Sequence, residues 1–205
     1  MPLNDKQTEE KIFEAATDIF LKKGMDGARM QDIADHAGIN KSLLHYYFRT
    51  KDRLFNAVFD MIAKKMLQKF APIFNERLSL EEKIRFFYKE HITFLQENPS
   101  LPGFIINEIN RNPARIKKFL KTADIKALWE MLDKQHNEEL KKFIITQEKI
   151  PQLLTTIVSI SIFPFVARNI VEGIFENIGV DFDRYIEERK EFAAEFVLKA
   201  IQRND

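Results

Sequence analysis

Residues 24–55 read GMDGARMQDIADHAGINKSLLHYYFRTKDRLF. Their spacing predicts two short helices around a tight turn, followed at once by a third. The first is Met30–Ala37, with Ile33, Ala34 and Ala37 on its inner face. At Gly38 the chain must leave that helix, and a glycine accepts the left-handed backbone this requires. Asn40 can cap the next helix through its side-chain oxygen. That helix, about Lys41–Phe48, sets Leu44 and Phe48 inward at i, i+4 and leaves Lys41, Ser42, His45 and Tyr46 outward. A helix–turn–helix whose second helix shows cations and aromatics to solvent has the shape that enters a DNA major groove.

Working outward, the pattern extends on both sides. Upstream stand Ala15-Ala16, Ile19-Phe20 and Gly24; within it stand Asp32-Ile33-Ala34, Ala37-Gly38-Ile39, Leu44 and Tyr47-Phe48; downstream follow Lys51 and Leu54-Phe55. In order and spacing these residues resemble the DNA-binding domain of the TetR/AcrR family of transcriptional regulators, over about 45 residues. Four positions depart from the commonest form of that family: Arg29 replaces a capping Thr, Ser42 a Gly, Leu43 a Thr and His45 a Tyr. The departures bear on base preference rather than on fold. The resemblance implies an all-α protein of about nine helices. It also implies a homodimer, double-stranded operator DNA of pseudo-palindromic sequence as partner, and release of the operator by a small-molecule effector.

Composition fits that picture and narrows it. The chain has 205 residues, 31% charged and 45% hydrophobic, with 6 Gly and 7 Pro, so helix breakers are few. There is no cysteine, hence no thiolate nucleophile and no disulfide framework, which fits a cytoplasmic location. The amino terminus MPLNDKQTEEK is too polar for a signal peptide. The run Leu153–Ala167, interrupted by Thr155, Thr156, Ser159 and Ser161, falls short of the roughly 20 residues of a membrane span. Net charge is only +1, and residues 1–55 hold nine Lys/Arg against nine Asp/Glu. The acids, however, gather early (Glu9, Glu10, Glu14, Asp18), and none lies between His36 and Lys51. A local positive face is enough for phosphate contacts.

The remaining helices follow from caps and breakers. A first helix over Asp5–Lys23 carries Ile12, Ala15, Ala16, Ile19 and Phe20 at helical spacing and is expected to end at Gly24. A helix over 51–75 would connect residues 1–50, the DNA-binding domain, to an effector-binding and dimerisation domain over 51–205. Ser79-Leu80-Glu81-Glu82 is a capping box opening a helix to about Asn98. Further helices are expected over 101–110, from Asn112-Pro113 to about Phe143, over 152–176, and from an Asp181 or Asp183 cap to about Arg203. Pro164 should kink the 152–176 helix, because it leaves the Ile160 carbonyl without its helical donor.

Candidate functional residues fall into three groups. For DNA they are Lys41, Ser42, Leu43 and His45 toward base edges, Tyr46, Tyr47 and Lys51 as phosphate contacts by resemblance, and Arg29 and Gln31 toward the backbone or an outer base. For a partly apolar effector they are Phe87, His91, Phe94, Phe104, Glu108 and Trp129, an aromatic wall with polar groups among it. His91 would serve as a neutral imidazole, titrating near ~6.5 if unperturbed. For a dimer interface built by the last two helices they are Ile157, Ile160, Phe163, Phe192, Phe196, Val197 and Ala200. No catalytic residue, cofactor or metal site is expected: there is no Gly-rich phosphate loop, and His91, Glu108 and His136 lack metal-ligand spacing. The basic set Arg111, Arg115, Lys117, Lys118 and Lys121 reads as a solvated face. The expected function is a DNA-binding transcriptional regulator, by default a repressor released by a small ligand. The alternative keeps the DNA domain but makes the core a ligand-independent protein-interaction module.

Overall fold

The computed structural model describes residues 5–75, 77–114, 117, 130 and 147–202. Among them there are nine α-helices and no strand. In chain order these are α1 (Asp5–Gly27), α2 (Met30–His36), α3 (Lys41–Tyr47), α4 (Lys51–Phe70), α5 (Leu80–Glu97), α6 (Leu101–Arg111), α7 (Ile150–Val166), α8 (Arg168–Ile178) and α9 (Phe182–Ile201). Of the helix expected from 113 to 143, only Pro113, Ala114, Lys117 and Glu130 are among the described residues. The chain divides into two compact units. One takes the chain up to Leu67 together with α6 from Phe104; the other takes Gln68–Gly103 and the carboxy-terminal helices.

In the first unit, α1, α2 and α3 pack around Ile12, Ala16, Phe20, Ile33, Ala34 and Leu44, all fully buried. Leu54, Phe55 and Val58 add the inner face of α4. Phe20 meets Phe55 edge-on at 4.8 Å, and Phe55 meets Phe104 of α6 at 5.6 Å. Gly24 interrupts α1 where the sequence placed the end of the first helix. It takes φ +66°, ψ 178° as an internal break, and the helix resumes to Gly27. With no Cβ, glycine can make such a break without a steric penalty.

In the second unit, α5 lies against α7 and α9 over Ile84, Tyr88, Ile92, Leu95, Ile157, Phe165, Ile186, Ala193, Val197 and Leu198. The Ser79–Glu82 capping box forms as expected: Glu82 N–H donates to Ser79 Oγ at 3.2 Å, and Ser79 N–H to Glu82 Oε2 at 2.7 Å. Asp181, rather than Asp183, caps α9, accepting from Arg184 N–H at 2.7 Å. The single helix expected over 152–176 is two. α7 runs through Pro164, the chain breaks at Ala167, and α8 leaves at 73°. The carbonyl that Pro164 orphans is nonetheless the one foreseen. Ile160 O accepts from Arg189 Nη2 at 2.8 Å and Nε at 3.0 Å, so a guanidinium on α9 replaces the missing helical donor. Among the described residues no single helix is long and apolar enough to cross a membrane.

Candidate functional site

The turn between α2 and α3 is built as its residues require. Gly38 has φ +66°. The Asn40 side chain accepts from Leu43 N–H at 2.8 Å, closing the first turn of α3. α2 starts less securely: Arg29 occupies the cap position with extended backbone and gives no side-chain cap bond. Its amides therefore lack what a Thr hydroxyl would supply there. Two contacts hold α2 to α1 instead, Lys23 Nζ to Asp32 and His36 Nε2 to Asp18 at 3.2 Å. The Lys23 bond pulls the Asp32 carboxyl below the usual carboxylate range.

Leu44 is completely buried and anchors α3. Phe48 is only half-buried; it closes the helix end and packs edge-on against Phe13 at 5.5 Å. Lys41, Ser42, His45 and Tyr46 are exposed, Tyr46 to 78%, and Leu43 is half-buried. Arg49, just past the helix, extends the exposed cationic run. This one was legible as part of the acid-free stretch. Arg29 and Gln31 are also exposed, with Gln31 Nε2 donating to Asp35 at 2.8 Å.

Two candidates for phosphate contact are already engaged. Lys51 Nζ donates to the carbonyls of Ala28 (3.0 Å) and Asp26 (3.3 Å), stapling the start of α4 to the end of α1. Two of its three donors are thus spent inside the domain. The Tyr47 hydroxyl donates to Asp5 Oδ1 at 2.7 Å, which holds the phenol above its ordinary pKa.

The effector candidates are placed less uniformly. Phe87 stacks on the His91 ring at 4.9 Å, and Phe70 meets both rings within 6 Å. His91 Nδ1 lies 2.9 Å from Ser161 Oγ on α7. Ser161 Oγ also stands 2.8 Å from the Val158 carbonyl. A hydroxyl has one proton; with that proton on Val158 O, His91 is the Nδ1–H tautomer and donates to Ser161. Burial alone pushes the imidazole down to about 4, far from the 6.5 of a free histidine, so it is neutral at neutral pH. Nearby, Tyr88 is wholly buried and its hydroxyl has no hydrogen-bond partner among the described residues; burial pushes its phenol far up. Phe94 is half-buried beneath the Lys69 ammonium, 5.6 Å from the ring centre. Phe104 and Glu108 are buried in the first unit, not the second. Trp129 and His136 lie outside the described residues, as do Arg115, Lys118 and Lys121 of the basic set. Among the described residues no cluster of His, Asp or Glu is arranged for a metal.

The dimer candidates separate cleanly. Ile157 and Val197 face the chain's own core, at 8% and 2% exposure, and Ile160 is half-buried. Phe163, Phe192, Phe196 and Ala200 are exposed, and Phe192 stacks on Phe196 at 6.1 Å. Sequence reading also passed over a stripe on α8: Ile170, Ile174 and Ile178, 56–66% exposed. Its i, i+4, i+8 spacing was the available signal.

Comparison with known proteins agrees with the first unit. Residues 12–58 match the family model of bacterial regulatory proteins of the tetR family. An HTH-type transcriptional repressor of Mycobacterium tuberculosis is 35% identical over 66 residues, covering 32% of this chain and 35% of the relative. The chain thus spans about a third of the length of the curated relatives it matches. Two solved structures share the fold along nearly the whole length. A TetR transcription regulator from Haloarcula marismortui has TM-score 0.67 at 20% identity, covering 98% of this chain and 100% of that one. HlyIIR, a hemolysin II transcriptional regulator, has TM-score 0.66 at 22% identity with the same coverage. Over residues 12–58, then, the chain carries a helix-turn-helix domain that matches the tetR family of bacterial regulatory proteins, and along its length it shares the fold of these solved regulators.

Proposed function

We propose that this chain is a sequence-specific DNA-binding transcriptional regulator, acting in the cytoplasm as a homodimer and as a repressor by default. The observation that carries this reading is the outer side of α3. Lys41, Ser42, His45 and Tyr46 project together from a helix whose buried side is fixed by Leu44 and whose start is fixed by Asn40. A Lys can donate to guanine O6 or N7, a Ser to either strand, and a tyrosine hydroxyl to phosphate. In this reading residues 1–50 hold the operator and residues 51–205 dimerise and sense. Two copies would place α3 in successive major grooves, about 34–36 Å apart.

Exposed Phe163, Phe192 and Phe196 support the dimer, since such large apolar surface on α7 and α9 is stable when a second copy covers it. The neutral His91–Ser161 pair among Phe70 and Phe87 supports an effector that is partly apolar and offers a hydrogen bond. Typical coupling of about 1–3 kcal/mol would loosen the operator roughly 5- to 150-fold. The test is binding of the full chain to a fluorescent 30-base-pair duplex as salt is raised. The expected result is affinity that falls steeply with salt and is lost on replacing Lys41, His45 and Tyr46 together by alanine. Unchanged binding in that variant would overturn the assignment of α3.

A further inference from the structure

We propose that Asp5 is an internal competitor of DNA, its carboxylate holding the Tyr47 hydroxyl that a backbone phosphate would otherwise take. The proposal rests on the reading of residues 1–50 as the DNA-binding domain and deepens it. Tyr47 stands at the end of α3, and Asp5, 42 residues earlier, stands in the first turn of α1. Their oxygens are 2.7 Å apart, a strong charge-assisted bond. The Thr8 hydroxyl bonds the same tyrosine oxygen. A phenol has one proton to give, so it can donate to Asp5 or to a phosphate but not to both.

The position of the acid is what makes the bond consequential. From His36 to Lys51 the sequence contains no Asp or Glu, and the exposed groups of α3 are cationic, hydroxylic or aromatic. Asp5 brings a carboxylate to the edge of that surface from a distant part of the chain. It bonds Tyr47 as a phosphate oxygen would, and it repels a phosphate that approaches. Tyr46 is edge-on to Tyr47 at 5.5 Å and largely exposed. Duplex binding therefore requires Tyr47 to leave Asp5, and the cost of that exchange lowers affinity on every sequence alike.

The experiment is a double-mutant cycle in the full chain, read by anisotropy on a fluorescein-labelled 30-base-pair duplex of random sequence at low salt. Asp5→Ala should tighten binding at least about threefold, the scale of one released hydrogen bond and one removed like charge. In the Tyr47→Phe background the same substitution should gain clearly less, because no hydroxyl remains to be released. Asp5→Asn keeps an acceptor but removes the charge and should fall between wild type and Asp5→Ala. Binding by Asp5→Ala equal to or weaker than wild type, or an equal gain with and without the Tyr47 hydroxyl, overturns the proposal. If circular dichroism shows Asp5→Ala unfolded, Asp5→Asn decides: tighter binding supports the competitor role and unchanged binding refutes it. Absence of salt-dependent duplex binding by the wild-type chain would instead bring down the DNA reading of residues 1–50, and this proposal with it.

Discussion

Residues 29–48 and residues 150–201 are both helical, yet they are specified in different ways. In the first stretch each backbone event has a local cause. Gly38 can take φ +66° because it has no side chain to be strained there, Asn40 caps because its oxygen reaches Leu43 N–H, and Leu44 buries because it lies one turn beyond the cap. In the second stretch local chemistry sets the breaks, but only tertiary partners decide which apolar side faces inward. Phe196 and Val197 are neighbours of similar hydrophobic character; one is 54% exposed and the other 2%. A motif can therefore be read from sequence alone, whereas an apolar surface must be read with its partner.

That contrast predicts its own largest effect. Val197→Glu would bury a carboxylate without a partner, at a cost of several kcal/mol, and the second unit should unfold. Phe196→Glu, one residue away, should leave the monomer folded and abolish the proposed dimer. Circular dichroism and sedimentation of the two variants separate these outcomes. A Phe196→Glu protein that remains dimeric would place the interface elsewhere, with the exposed Ile170–Ile174–Ile178 stripe of α8 the next surface to test.

A second test addresses the buried polar pair of the core. His91 is pushed down to about 4 when folded, against 6.5 for a free histidine. Its depressed value means that the unfolded chain takes up a proton first. The contribution is complete above pH 6.5 and is lost as pH falls toward 4, at about 1.4 kcal/mol per unit. Urea unfolding should thus show about 2 kcal/mol less stability at pH 5 than at pH 7, and His91→Gln should remove most of that difference. Equal pH dependence in the variant would show that other groups carry it. For the same reason an effector response through His91 should be flat from pH 6 to 8, not centred near 6.5.

The smallest expected effect lies in the better-specified region. Arg29 leaves α2 without a side-chain cap. Arg29→Thr should stabilise the domain by about 1 kcal/mol, read as a rise in melting temperature. No rise would mean that the amides of α2 already have solvent partners as good as a hydroxyl.

Most of the helix-turn-helix was legible because its signals are short-range. The exceptions are long-range. Nothing within α3 or α4 announces that Tyr47 will meet Asp5 or that Lys51 will bond the carbonyls of Asp26 and Ala28. In the second unit, Pro164 pointed correctly to the Ile160 carbonyl, but its rescue by Arg189 depends on how α9 crosses α7, which no local pattern encodes. The same holds for the effector candidates. Phe87 and His91 share a helix face and stack, whereas Phe104 and Glu108, grouped with them for their residue types, sit in the other unit.

The most direct measurement is selection of bound duplexes from a random pool by the full chain, repeated with Lys41→Ala. If α3 reads DNA, the wild type should enrich a two-fold symmetric site with half-sites about one helical turn apart, and Lys41→Ala should relax one position in each half by about 1–3 kcal/mol. An unenriched pool, or a Lys41→Ala profile identical to wild type, would contradict it.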